Sequence, residues 1–204
     1  PFPDVRISHI AIDRTHTTAS DMASYFPLSA LFRLYKAQYI GSISPNFYGL
    51  PTNRSHRVTI EQDCPRLVSL CKEDRVDAVV LVPNCPICHQ STALAASQLE
   101  TAGIPSVLMG SALDIVEHVG VPRLLFNDFP LGNAAGLPQN IVSQDLIAKM
   151  AVDLLCYAIE PRTTVKSPLT WSGESDWKKD YSNIDQLSAS EVKRLRVEFD
   201  KVKK

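Results

Sequence analysis

Between Val76 and Met109 the chain follows a pattern that few folds accept. Val76-Asp-Ala-Val-Val-Leu-Val82 is an almost unbroken apolar run. A strand with one face in water alternates apolar with polar residues, whereas a continuous run suits a parallel strand covered on both faces. A helix rich in small residues follows over about 91–102, Gly103 stands where a helix C-terminus favours a left-handed residue, and Pro105-Ser-Val-Leu-Met109 resumes the strand pattern. Residues 76–109 therefore read as one βαβ unit.

The alternation continues on both sides. A helix over 111–118, the strand Arg123-Leu-Leu-Phe126 and a long apolar helix over 141–158 follow downstream. Upstream, Val5-Arg-Ile-Ser-His-Ile-Ala-Ile12 alternates and is rich in β-branched residues, which predicts a first strand closing at His9 to Asp13. Leu28, Leu31, Leu34 and Tyr35 have helical spacing behind Pro27, and Ile40 to Asn53 is a loop broken by Gly41, Pro45, Gly49 and Pro51. A helix over 58–74 must place Pro65 near its start or kink there. The fold class is α/β, a doubly wound, mainly parallel sheet with flanking helices. Residues 1–160 form a single domain and 161–204 a C-terminal extension, in which Ser188-Ala-Ser-Glu191 has the spacing of a capping box. Val192, Leu195, Phe199 and Val202 make an apolar stripe on the helix it opens, a face for the body of the protein or for another subunit.

With 204 residues and 45% of them hydrophobic, the chain can bury a core. Its 21 basic and 22 acidic residues leave no field that would recruit nucleic acid or an anionic membrane, so the expected partner is a small molecule. No apolar run approaches the ~20 residues of a membrane span, and Pro1-Phe-Pro-Asp4 lacks the features of a signal peptide. The five cysteines, an odd number, suit a reducing compartment better than a secreted disulfide scaffold, and the expected location is cytoplasmic. Cys64, Cys71 and Cys156 read as small buried hydrophobes, and His16, His56 and His118 as surface residues.

The chemistry concentrates in Cys85-Pro-Ile-Cys-His89, directly after the strand of the βαβ unit. Ligands of open parallel sheets bind beyond the carboxyl ends of the strands. The head of the following helix offers free N–H groups and a positive dipole end, which lower a thiol's pKa. Pro86 removes one N–H and stiffens the turn between the two sulfurs. Three readings stay open. In the first, Cys85 attacks as a thiolate, Cys88 resolves the adduct as a disulfide, a proton comes from His9 or His89, and a dithiol reductant resets the pair. In the second, Cys85, Cys88, His89 and His9 hold a copper or zinc ion. In the third, the cysteines are buried thiols without chemistry. Two cysteines can also exchange a proton at carbon, as in racemases, but one turn places both on the same side of a substrate. In Phe129-Pro-Leu-Gly-Asn-Ala-Ala-Gly136, Gly132 and Asn133 can shape a turn whose N–H groups meet a substrate carboxylate, or form a plain loop.

Taken with Arg6-Ile-Ser-His9 and Asp13, Phe26-Pro-Leu28, Ile40-Gly41, Tyr48-Gly49, Ala102-Gly-Ile-Pro105 and Phe129-Pro-Leu-Gly-Asn133, these motifs resemble the selenoprotein B family of the glycine, sarcosine and betaine reductases and the related D-proline reductase subunit, in a short, stand-alone form. The resemblance implies a reductase that cleaves a carbon–nitrogen or carbon–heteroatom bond. The family's reactive chalcogen, often selenocysteine, falls at Cys85 and its resolving thiol at Cys88; His9 and Asp13 match its first-strand motif. It also implies a companion reductase subunit carrying a pyruvoyl group, which this chain does not itself show. A homo-oligomer, or a non-catalytic partner subunit, is the alternative to an enzyme acting alone.

Overall fold

Strand β1 (Val79–Leu81) leads through the turn at Cys85 into helix α4 (Pro86–Thr101), which returns the chain to β2 (Ser106–Gly110) in this computed structural model. The structure describes residues 3–7, 11–171, 176–179, 188–190, 192–194 and 197. Before β1 come α1 (Leu28–Lys36), α2 (His56–Val58) and α3 (Cys64–Glu73); after β2 come α5 (Leu113–Val119), β3 (Arg123–Phe126), α6 (Ile141–Tyr157) and β4 (Thr163–Lys166). The four strands form one wholly parallel sheet in the order β1-β2-β3-β4, with Val79 opposite Ser106, Leu108 opposite Leu124 and Arg123 opposite Thr163. This is the α/β architecture expected from the continuous apolar runs.

Alternation along the strands sorts the core into two layers. Leu81, Leu108 and Leu124 face Ala93, Ala96 and Leu99 of α4, Val116 of α5, and Leu67 and Cys71 of α3. Val107, Met109 and Leu125 face Ile147, Ala151 and Leu154 of α6. The small residues of α4 let it lie close against the sheet, and α6 covers the other face. Each crossover steps towards the same edge of the sheet, yet the third runs on the opposite face, so its hand is opposite to that of the first two. Such connections are almost always of one hand. Here the loop 127–140 separates strand from helix and carries the chain across the carboxyl edge before α6 begins.

Local signals behave as their chemistry requires. Gly103, at φ +81°, completes a Schellman ending, with Gly103 N–H bonded to Glu100 O and Ile104 N–H to Leu99 O. Pro65 is accommodated by a π turn over Thr59–Asp63, in which Cys64 N–H reaches back five residues to Thr59 O; the proline then falls in the first turn of α3. No helix among the described residues is long and apolar enough to cross a membrane.

Three expectations are corrected. Residues 3–7 and 11–12 are not in a strand; Tyr25 Oη donates to Val5 O instead, at 2.8 Å. Alternation shows that a segment can pair, but it does not by itself make the segment join a sheet. Residues 163–166, read as the beginning of an extension, supply the fourth strand. Cys156 is exposed rather than buried, because it lies off the Ile147-Ala151-Leu154 stripe that faces the sheet. Of the C-terminal stripe, Val192 is helical, and Leu195, Phe199 and Val202 lie outside the described residues.

Candidate functional site

Cys85 is the N-cap of α4, with extended backbone (φ −133°, ψ 166°), and Pro86 fills the first helical position, where no N–H is missed. The sulfur of Cys85 takes the place of a capping hydroxyl and accepts the N–H of Cys88 at 3.1 Å. Cys85 and Cys88 are joined as a disulfide. Cys85 is fully buried whereas Cys88 is half-buried, so an external reductant meets the sulfur of Cys88 first.

His89 fixes this turn from inside. It is fully buried, its Nδ1 lies 2.8 Å from Cys85 O, and its Nε2 accepts the N–H groups of Ser111 (2.9 Å) and Ala112 (3.2 Å). Two N–H donors at Nε2 leave the ring proton on Nδ1, where it donates to the carbonyl. Burial pushes the imidazole pKa down to about 4, against the smaller opposing effects of the Cys85 carbonyl and Asp114. A neutral ring with both nitrogens engaged ties the cysteine turn to the loop after β2. In this arrangement both ring nitrogens are engaged within the fold.

The loop 127–140 at the end of β3 is stitched to the N-terminal segment. Asp13 N–H donates to Leu131 O at 3.0 Å and Ala135 N–H to Ser24 O at 2.8 Å. Asn133, fully buried, accepts from Thr17 Oγ1 (3.3 Å) and Ser24 Oγ (3.1 Å) and donates to Pro130 O (3.3 Å). Gly132 has φ +105°, and a Cβ there would stand 3.4 Å from the side chain of Ile12. Gly132 and the side chain of Asn133 thus fasten two loops together. They lie at the carboxyl edge of the sheet, as does the cysteine turn.

His9 lies outside the described residues. Asp13 is nearly buried and pairs instead with His16: its Oδ2 lies 2.9 Å from His16 Nδ1, while Oδ1 accepts the N–H groups of Thr15 and His16. His16 is therefore not a plain surface residue; its ring also meets the edge of Trp177, with centroids 6.0 Å apart. The spacing Asp13-Arg-Thr-His16, in which an aspartate caps the turn that carries the histidine, was the available signal. Beside it, Asp128 receives Lys178 at 2.5 Å and Lys166 at 3.2 Å. Burial raises its carboxyl, but the two lysine hydrogen bonds outweigh this and hold it below its ordinary value.

Among the described residues, no three histidine, cysteine or acidic side chains are grouped to hold a metal ion. Cys64 and Cys71 are buried, and burial pushes the Cys64 thiol up to about 11 and raises that of Cys71 as well.

The geometry defines an α/β protein with a redox-capable thiol pair at the head of the helix that follows the first strand of its sheet. Its sequence is 28% identical over 145 residues to the D-proline reductase subunit gamma of Acetoanaerobium sticklandii, a match covering 71% of this chain and 60% of that protein. A distant relationship to that reductase family follows; the comparison adds nothing for the glycine and betaine reductases. The chain thus spans less than two thirds of the length of this relative. No family model matches the chain. No solved structure matches it either.

Proposed function

We propose that the protein is a thiol-dependent reductase, or the thiol-bearing subunit of one, that cleaves a carbon–nitrogen or carbon–heteroatom bond in a small molecule. The observation that carries this is the capping geometry of Cys85, whose sulfur accepts a helix N–H and is joined to Cys88. A sulfur held there is stabilised as thiolate by the N–H group and by the helix dipole, without help from the neutral His89.

In the reduced protein, Cys85 thiolate attacks the substrate carbon. A carbon–sulfur bond forms, the bond to the leaving group breaks, and the departing group takes a proton. The thiolate of Cys88 then attacks the sulfur of Cys85. The disulfide forms, the carbon–sulfur bond breaks, and the carbon leaves with the electron pair and a proton. Substrate gains two electrons and the dithiol loses two. An external dithiol restores the pair by attacking the more accessible Cys88 sulfur, which expels Cys85; a low-pKa thiolate is the better leaving group. Asp13 and His9 are the groups that the family resemblance assigns to proton transfer or substrate orientation, and the Asp13–His16 pair adds a second imidazole at that edge. The relative's description as one subunit of D-proline reductase supports a companion subunit for this chain, and a cytoplasmic setting fits a pair that must be re-reduced.

Peptide mass mapping of the reduced protein across pH tests the reading. Cys85 should alkylate with an apparent pKa well below the ~8.5 of a free thiol. In the assembled enzyme, Cys85→Ser should abolish turnover and Cys88→Ser should accumulate a substrate adduct on Cys85; an active Cys85→Ser protein would refute the mechanism.

A further inference from the structure

Six buried side-chain polar atoms have no hydrogen-bond partner among the described residues. Two belong to Arg33 and Arg123, whose guanidinium groups are already ion-paired with Asp145 and Glu100. The other four are Asn84 Oδ1, Ser111 Oγ, Asn127 Oδ1 and Ser167 Oγ. Each stands just past the carboxyl end of a different strand: Asn84 after β1, Ser111 after β2, Asn127 after β3 and Ser167 after β4. Backbone bonds hold the ends of β2, β3 and β4 side by side in strand order, and Asn84 follows β1, which pairs with β2. Asn127 N–H donates to Gly110 O and Ser167 N–H to Phe126 O, both at 2.9 Å. Asn127 is fully buried and Ser167 is 3% exposed, so leaving these atoms unmatched costs free energy at every strand of the sheet.

We propose that Asn84, Ser111, Asn127 and Ser167 form a hydrogen-bonding shelf that holds a compact, uncharged group bearing N–H donors and an oxygen acceptor, with a primary amide as its simplest representative. Asn127 Nδ2 is committed to Ala134 O at 2.7 Å, so its oxygen is an acceptor aimed elsewhere, and Asn84 offers a second carbonyl oxygen. The serine hydroxyls donate or accept as the ligand requires. None of the four carries charge, so the shelf has nothing to neutralise a phosphate. Asn84 adjoins Cys85 in the chain, and Ser111 is tied to it through His89, which places the shelf next to the reactive sulfur. Carboxyl strand ends are where open parallel sheets bind their ligands. The shelf rests on the thiol reading only for how it is read out below.

The full-length reduced protein is alkylated with iodoacetamide and, separately, with its N,N-dimethyl derivative, which has no N–H donor, and both rates are followed at Cys85 and at the exposed Cys156. The iodoacetamide-to-dimethyl rate ratio should be about fivefold higher at Cys85 than at Cys156, the size expected for one or two restored hydrogen bonds. Ser111→Ala and Ser167→Ala should bring it down to the Cys156 value without lowering Tm, since each removes a hydroxyl that no described residue holds. Equal ratios in the parent protein would overturn the shelf, as would variants that lower Tm and leave the ratio unchanged. Should the alkylation of Cys85 show an apparent pKa no lower than the ~8.5 of a free thiol, the thiol reading falls. The shelf is then decided by Trp171 emission on titration with acetamide, because Trp171 packs 5.8 Å from Phe129, whose N–H donates to Asn127 O. A saturable change abolished in Ser167→Ala sustains the shelf, and no change overturns it.

Discussion

Acidification from pH 7 should destabilise the oxidised protein through His89 before any carboxylate with a shifted pKa contributes. The imidazole titrates at 6.5 in the unfolded chain and at about 4 when folded. A histidine whose folded pKa is depressed is protonated preferentially in the unfolded state, so its contribution is fully present above pH 6.5 and is lost as pH falls towards 4. A shift of that size corresponds to roughly 3 kcal/mol in total, of which about 2 kcal/mol is gone by pH 5. Against a domain stability of about 5–15 kcal/mol this is a large share. The carboxyls of Asp74, Asp128 and Asp153, all lowered from 3.8, begin to matter only near and below that value, so the interval from 6.5 to about 4.5 isolates His89. Guanidinium unfolding at pH 7, 6, 5 and 4.5, with the disulfide intact, should show a falling midpoint at nearly constant slope. His89→Gln should be less stable at pH 7, because it loses the bonds to Cys85, Ser111 and Ala112, and should have a flatter pH profile. Parallel profiles for the two proteins would refute the assignment of a neutral, locked ring.

Two further outcomes follow from packing and burial. Gly110→Ala places a Cβ 2.7 Å from Leu108 Cδ2 and 3.1 Å from His89 Cδ2, so thermal unfolding should reveal a loss of about 1–3 kcal/mol, together with a looser cysteine turn seen as faster reduction of the disulfide. Of the three free cysteines, Cys156 should be alkylated rapidly in the native protein, while Cys64 and Cys71 should react only after unfolding; quantitative mass mapping distinguishes them.

The legible parts of the sequence were those in which one local pattern decides the outcome. The run Val76–Val82, the small-residue helix and Gly103 carry the βαβ unit without ambiguity, because burial on both faces and a left-handed ending leave few alternatives. Cys85 could be placed at a strand end and helix start for the same reason. Strand β4 was missed because Thr163-Thr-Val-Lys166 is a short edge strand with polar outward positions, and nothing local separates it from a tail. Residues 5–7 and 11–12 depart in the opposite direction, since alternation alone does not make a segment join a sheet; residues 8–10 lie outside the described residues. The role of His89 was hidden as well. Adjacency to two cysteines suggests chemistry, and only the fold reveals that its far nitrogen meets the loop after β2. His16 reads as a surface residue because it lies past the expected end of the first strand, and only the fold shows Asp13 turning back to meet it.

The strand order has a consequence for how the protein is made. Each strand pairs with the one synthesised before it, so no strand has to be inserted between two that are already formed. A ribosome delivers roughly 5–20 residues per second, and the βαβ unit containing the cysteine turn emerges well before Ser167. A nascent chain can therefore close the Cys85–Cys88 turn while the last strand is still absent and the carboxyl edge incomplete. Premature termination after α6 should yield a species that retains the thiol pair and lacks the edge strand, open to pairing with another chain at β3.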